Sequence, residues 1–359
     1  MAVPDLVASY AMTCGTGIRL VQSPCVSQHP NLPVGGEAIN FAGFLQRHGW
    51  AQKEQLSALV EGWRSLIDLV RPDAMVYDHA PAALLAAHIV GVPVMLLGNG
   101  FEIPPTQSPL PAFRPWEMAS AQQLIDAEKL VVQVVNEILA KGHIAPINKL
   151  HDLYKNHPTV MPTFPELDHF EPRTDAQYCG PIATAPMRTS QVSWKSTRKK
   201  VLVYVRANLP HVQNLLLALR EVDAENLCVM PDLPASWVEQ FPWIRFYSSF
   251  IELDSLLAST DVVITSGSGT IVNALQHGIP VVVMPHVIEQ YLAGAALERM
   301  GAGKVLRGRE TAASCLQPVH DVLQQPRFNQ AAQAFAQKYA DWTAETALEI
   351  QWKSLHSLL

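Results

Sequence analysis

Between Val201 and Leu306 the chain alternates short, continuously apolar runs with longer stretches of helical spacing. The apolar runs are Val201–Val205, Leu227–Met230, Ile244–Tyr247, Val262–Thr265, Val281–Met284 and Lys304–Leu306. The helical stretches fall near 210–222, 235–241, 253–259, 270–277 and 288–300. Runs that are apolar at every position predict strands buried on both faces. Strands that alternate with helices and lack hairpin turns predict βαβ units on a parallel sheet.

The first half is less regular. Residues 51–70 place Leu56, Leu59, Val60, Trp63, Leu66, Ile67 and Val70 on one helical stripe. Ala74–Tyr77, residues 80–90 and Pro93–Leu97 read as strand, helix and strand. Five prolines within 104–116 predict an extended loop, and a long helix is expected over about 117–142. Residues 183–200 lose apolar periodicity and gain Ser, Thr and basic side chains, which marks a linker. The expected division is an N-terminal domain over 1–190 and a C-terminal domain over 191–359. Residues 1–16 show no strand–glycine turn–helix opening, and 328–359 reads as one or two helices.

Composition narrows the function classes. Of 359 residues, 48% are hydrophobic and 16% charged, which suits two buried cores rather than disorder. Net charge is −6, and the one basic cluster is Arg198–Lys200, so nucleic acid is not an expected partner. The five cysteines are scattered and form no CxxC pair, which predicts reduced thiols, no zinc site and a cytoplasmic protein. No signal peptide is read at the N-terminus, and the apolar runs are too short for a transmembrane segment.

The chemistry concentrates in Asp261–Val272, DVVITSGSGTIV. A buried strand ends at Thr265, small residues follow, and a helix is expected to open at Thr270. Glycines admit close approach of a ligand to the backbone, and the first amides of a helix, with its dipole, favour an anion. Ser266, Ser268 and Thr270 add hydroxyls. An ordinary tight βα turn also favours Gly and Ser, so the turn alone leaves both readings open. One βα unit later, Pro285-His286 precedes a helix that carries Glu289 and Gln290 near its start. A carboxylate beside an amide suits the hydroxyls of a polyol, and ligands of open α/β sheets bind at this edge.

The run TSGSGTIVNALQHGIPVVVMPHVIEQYLAGAALERMGAGKVL resembles the donor-binding signature of the UDP-glycosyltransferase family. Gly267, Gly269, Thr270, Gly278, Pro280, Pro285, Gln290, Gly301 and Gly303 match that pattern in order and spacing. Thr265 stands where the family has a histidine, Ser266 replaces a glycine, Asn273 replaces a glutamate, and Glu289 stands for an aspartate. The resemblance implies two Rossmann-like domains of the GT-B type, with the C-terminal helix packing back on the N-terminal domain. It implies an inverting glycosyltransferase that moves a hexose from a nucleoside-diphosphate sugar, uridine-linked in this family, to a hydroxyl of a lipophilic small molecule. The expected donor set is Arg206, Thr265, Ser266, Gly267, Ser268, Gly269, Thr270, Asn273, His286, Glu289 and Gln290. No metal or other cofactor is expected beyond the sugar nucleotide as co-substrate. VLVYVRANLP (Val201–Pro210) and Phe164–Ile182 resemble the first strand of the family's C-terminal domain and its domain-boundary segment.

The resemblance also places the family's catalytic aspartate at Asp78, although an Asp there also reads as a helix cap. Asn99, Gly100 and Phe101 are the expected acceptor contacts, with Phe113 and Trp116 as candidate walls. The family's base histidine, on an opening strand and Gly-His turn, finds no counterpart here and is expected to lie upstream of Met1. Two expectations follow: a shortened form of an active enzyme, or a non-catalytic relative that binds sugar nucleotide. Either exposes apolar sheet that a protein partner could cover.

Overall fold

The computed structural model describes residues 1–25, 38–115, 119–182, 192–249, 251, 253–307 and 311–359. The elements run β1 (Ala2–Val3), α1 (Leu6–Thr13), β2 (Val21–Gln22), α2 (Phe41–Leu45), α3 (Lys53–Val70), β3 (Met75–Tyr77), α4 (Pro81–Val90), β4 (Val94–Leu97), α5 (Ala121–Lys141), β5 (Thr159–Met161) and β6 (Gln177–Tyr178). They continue as β7 (Lys199–Tyr204), α6 (Val212–Ala218), β8 (Ala224–Val229), α7 (Trp237–Gln240), β9 (Ile244–Tyr247), α8 (Leu253–Leu257), β10 (Val262–Thr265) and α9 (Ser268–Gln276). The last are β11 (Val281–Val283), α10 (Ile288–Met300), β12 (Gly303–Val305), α11 (Ala312–Gln324), α12 (Pro326–Lys338) and α13 (Ala344–His356).

Two compact units result. One comprises Met1–Val160, Asp175–Gln177 and Gln351–Leu359; the other comprises Met161–Thr174 and Tyr178–Ile350. The end of the C-terminal helix thus groups with the first unit. Of the expected linker, 183–191 lies outside the described residues.

The second unit is a six-stranded parallel sheet in the order β12-β11-β10-β7-β8-β9. Its six strands coincide closely with the six apolar runs. Successive residues feed opposite cores: Val201 and Val203 pack into one, and Leu202 into the other. The chain starts in the middle of the sheet, builds outward through β8 and β9, then returns to β10 on the other side of β7. That reversal makes the gap between the ends of β7 and β10 a topological switch point, where loops diverge and leave a crevice.

Phe164–Thr174 and Tyr178–Gly180 pack within this unit. Phe164 sits against Phe335, Tyr339 and Trp342. Glu166 accepts from Tyr339 at 2.6 Å and pairs with Lys338. Gly180 has φ of +76°, and a Cβ there would stand 2.1 Å from the indole of Trp342.

In the first unit β3, β4, β5 and β6 form a four-stranded sheet in that order, with β3, β4 and β5 parallel. The stripe on α3 buries Leu56, Leu59, Val60, Trp63 and Ile67, while Val70 is exposed. The proline-rich loop is anchored from inside. Buried Glu128 on α5 accepts from the Ser108 hydroxyl and from the amides of Leu110 and Leu150. At the N-terminus β1 and β2 pair in parallel around α1, which Asp5 caps through the amide of Ala8 at 2.9 Å. This unit was not expected from the sequence: its strands are two residues long and its helix has no apolar stripe. Val7, Tyr10 and Met12 on α1 face solvent.

Candidate functional site

The site in the second unit grows from β10. Thr265 pairs with Tyr204 of β7, so the loops leaving both strands emerge side by side at the switch point. Arg206, two residues beyond β7, is exposed there. Past β10, α9 opens at Ser268, two residues earlier than expected, with Gly267 as its N-cap. No side chain caps this helix. The amides of Ser268, Gly269 and Thr270 meet no acceptor among the described residues, as the first amides of an uncapped helix do not.

The glycines of the matched run divide into two kinds. Gly278 and Gly301 hold φ of +71° and +78°, and a Cβ on Gly303 would stand 2.0 Å from the carbonyl of Val281, so the fold itself requires them. Gly267 and Gly269 have neither reason. Gly267 lies at φ −97°, and a Cβ on either residue would meet nothing within 4 Å. What their missing side chains leave clear is the approach to the amides of α9.

Thr265, expected to touch the donor, is turned inward. It is fully buried, and its hydroxyl accepts the amide of Gly267 at 3.2 Å. It therefore shapes the turn from behind, and removes the Gly267 amide from the set that faces outward. Asn273 lies half-buried on the second turn of α9.

The next βα unit supplies Glu289 and Gln290. Oε1 of Gln290 accepts the amides of His286 at 2.7 Å and Val287 at 3.4 Å, capping α10. Its NH₂ is the part left to address a ligand. The carboxylate of Glu289 reaches α9, where Ser268 Oγ donates to Oε1 at 2.9 Å. Burial pushes its pKa above the usual carboxylate range, and the Ser268 hydroxyl opposes that rise.

One neighbour was missed in the sequence. His169 is buried, and its Nε2 lies 3.8 Å from Oε1 of Glu289. It follows Asp168, whose carboxylate accepts from Arg173 Nε at 2.9 Å and Tyr178 Oη at 2.6 Å, and whose carbonyl accepts from Arg299 of α10 at 2.9 Å. The Asp-His pair within FPELDHFEPRTDAQY carries no local pattern that ties it to a residue 120 positions away.

In the first unit Asp78 follows β3 and makes no hydrogen bond among the described residues. It does not cap α4, whose N-cap is Ala80. Desolvation raises its pKa. His79 beside it has φ of +43°, and its Nδ1 is buried with no hydrogen-bond partner. Its ring lies 5.5 Å from Phe44 and 5.6 Å from Phe101. Burial and then the nearby His48 lower its pKa to about 4. Gly100 and Phe101 are buried, and Phe113 is fully so, which makes both rings part of the core; Asn99 is half-buried. Trp116 lies outside the described residues.

Residues 213–348 match the family described as erythromycin biosynthesis protein CIII-like, C-terminal domain. A PGL/p-HBAD biosynthesis rhamnosyltransferase of Mycobacterium bovis (strain BCG / Pasteur 1173P2) is 24% identical over 327 residues, 83% of this chain and 71% of its own. The glycosyltransferase of kitacinnamycin superposes with a TM-score of 0.67 at 17% identity, covering 99% of this chain and 90% of that one. The chain has the fold of the GT-B glycosyltransferases, and its residues 213–348 resemble their C-terminal domain. A further glycosyltransferase of this fold, the spinosyn rhamnosyltransferase SpnG, was solved with thymidine diphosphate; it superposes with a TM-score of 0.60 at 18% identity over 88% of this chain and 84% of its own. Among the described residues, no helix is long and apolar enough to cross a membrane.

Proposed function

We propose that the chain transfers a hexose from a nucleoside-diphosphate sugar to a hydroxyl of a lipophilic small molecule, with inversion at the anomeric carbon. The observation that carries this reading is the turn Ser266–Thr270. Three unpartnered amides open α9 at the switch point, behind two glycines that neither conformation nor packing demands. The diphosphate rests on those amides, with Arg206 of the neighbouring loop as counter-charge. The hydroxyls of the sugar fall to Glu289 and Gln290, with His286 and Asn273 at the margins of the set. The mycobacterial and spinosyn relatives are named as rhamnosyltransferases, and the latter held a nucleoside diphosphate, which supports this class of donor.

In the reaction the acceptor oxygen attacks the anomeric carbon as the bond to the diphosphate breaks. The acceptor proton passes to a base, and the negative charge growing on the leaving diphosphate is met by the α9 amides and Arg206. Asp78 orients the base. A second reading, binding without turnover, is favoured by one observation: among the described residues Asp78 makes no hydrogen bond to a histidine.

Calorimetry with uridine and thymidine diphosphates tests the donor site, and a transfer assay with the matching sugar nucleotides separates the two readings. Tight diphosphate binding with a product of inverted configuration supports transfer. Binding with no product supports the second reading, and absence of binding to either nucleotide sinks both.

A further inference from the structure

The carboxylate of Glu289 stands at an awkward place. It is tied to Ser268, the first residue of the helix whose amides are proposed to receive the diphosphate. Two anions at one helix terminus repel each other, so the carboxylate must be held in a fixed orientation to serve the sugar rather than oppose the phosphates. Ser268 fixes Oε1 from one side. The same oxygen has the buried His169 Nε2 3.8 Å away.

We propose that His169 is a positioning residue for the donor sugar, holding Glu289 against Ser268 so that its second oxygen is presented to a sugar hydroxyl. This rests on the donor-site reading above and adds a specificity role for a residue outside the matched signature. At 3.8 Å the imidazole is beyond a direct hydrogen bond. It acts as a buried polar wall that denies the carboxylate the space it would need to swing away from α9.

Two features keep this wall in place. The loop that carries it is pinned on both sides of the ring: Asp168 accepts from Arg173, Tyr178 and the amide of Phe170, and Arg299 holds the Asp168 carbonyl. The charged groups near the imidazole include Asp168 and Arg173 from its own loop and Arg299 and Glu289 from α10. Burial first, opposed by Asp168 and reinforced by the two arginines, lowers the pKa of His169 to about 4, so the wall stays neutral at neutral pH and places no cation beside Glu289.

The test uses the full chain with uridine and thymidine diphosphates and their glucose and rhamnose conjugates. His169→Ala is expected to weaken the sugar nucleotide about tenfold, the loss of one well-placed hydrogen bond, while the free diphosphate binds within about twofold of wild type. His169→Gln, which refills the space with a polar side chain, restores most of that loss. In a double-mutant cycle, adding His169→Ala to Glu289→Ala costs nothing further, because the wall has lost what it holds. Equal weakening of diphosphate and sugar nucleotide, additive losses in the cycle, or no change in His169→Ala would each overturn the proposal. A wild-type chain that binds no diphosphate would instead remove the donor site itself, and this inference with it.

Discussion

Ser268 and Glu289, 21 residues apart, are joined by a hydrogen bond of 2.9 Å from the serine hydroxyl to Oε1 of the carboxylate. The bond links the N-terminus of α9 to that of α10, and so joins the loops that would hold the diphosphate and the sugar.

The glycine turn gives the sharpest test. A valine at Gly269 meets no protein atom within 4 Å of its Cβ, so the fold should tolerate it. The same side chain stands in front of the α9 amides. Gly269→Val is therefore expected to keep its melting temperature within about 4 °C of wild type, the shift that ~1 kcal/mol gives in a domain of this size. Its diphosphate affinity should fall at least ~100-fold, and calorimetry showing unchanged affinity would refute the cradle.

Glu289→Gln separates the two ends of the donor. Removing the negative charge beside α9 should leave diphosphate binding unchanged or tighter. It should also raise KM for the sugar nucleotide by about tenfold through the lost charged acceptor. A parallel loss of diphosphate affinity in steady-state inhibition would argue against this division.

Asp78→Asn addresses the first unit. The carboxylate makes no hydrogen bond among the described residues, so the substitution should leave stability untouched. If Asp78 orients the base, turnover falls by about 100-fold or more while donor affinity holds. Equal turnover in a single-turnover assay would remove Asp78 from the mechanism.

Glu225 predicts a pH-dependent contribution to stability. Burial on β8 raises its pKa, but the amides of Lys195 and Ser196 together with Arg245 outweigh that, and the net shift is downward. A carboxyl with a depressed folded pKa contributes stability above its ordinary titration range and loses it as pH falls through the folded value. Glu225→Gln should cost about 1–3 kcal/mol at neutral pH, with the gap to wild type closing below about pH 4 in denaturant titrations.

Gly180→Ala tests the packing of the segment after β6. Its positive φ and the indole of Trp342 at 2.1 Å leave no room for a Cβ, and the same indole donates to the Cys179 carbonyl at 2.8 Å. A loss of about 2–4 kcal/mol is expected by chemical denaturation, and a neutral result would mean that the segment yields easily.

The parts legible in the sequence share a physical cause. Strands buried on both faces are written as unbroken apolar runs, so all six strands of the second unit could be read to within a few residues. The glycine turn was legible because close backbone approach restricts the residue type. Features fixed by tertiary contact could not be read. Thr265 looked like a ligand contact, but its hydroxyl satisfies Gly267 from behind. His169 meets Glu289 only because its loop and α10 pack together. Phe113 looked like a pocket wall because nothing local shows that Glu128 draws its loop into the core. The β1–α1–β2 unit was missed because two-residue strands carry no period.

The cap that Gln290 places on α10 has one more effect. With its carbonyl oxygen committed to the amides of His286 and Val287, the side chain can only give a proton, while the carboxylate next to it can only take one. A ligand lying across both must therefore present one lone pair and one O–H in a fixed order. A sugar position that is methylated or lacks its O–H would leave the Glu289 carboxylate without a donor, and would be disfavoured there.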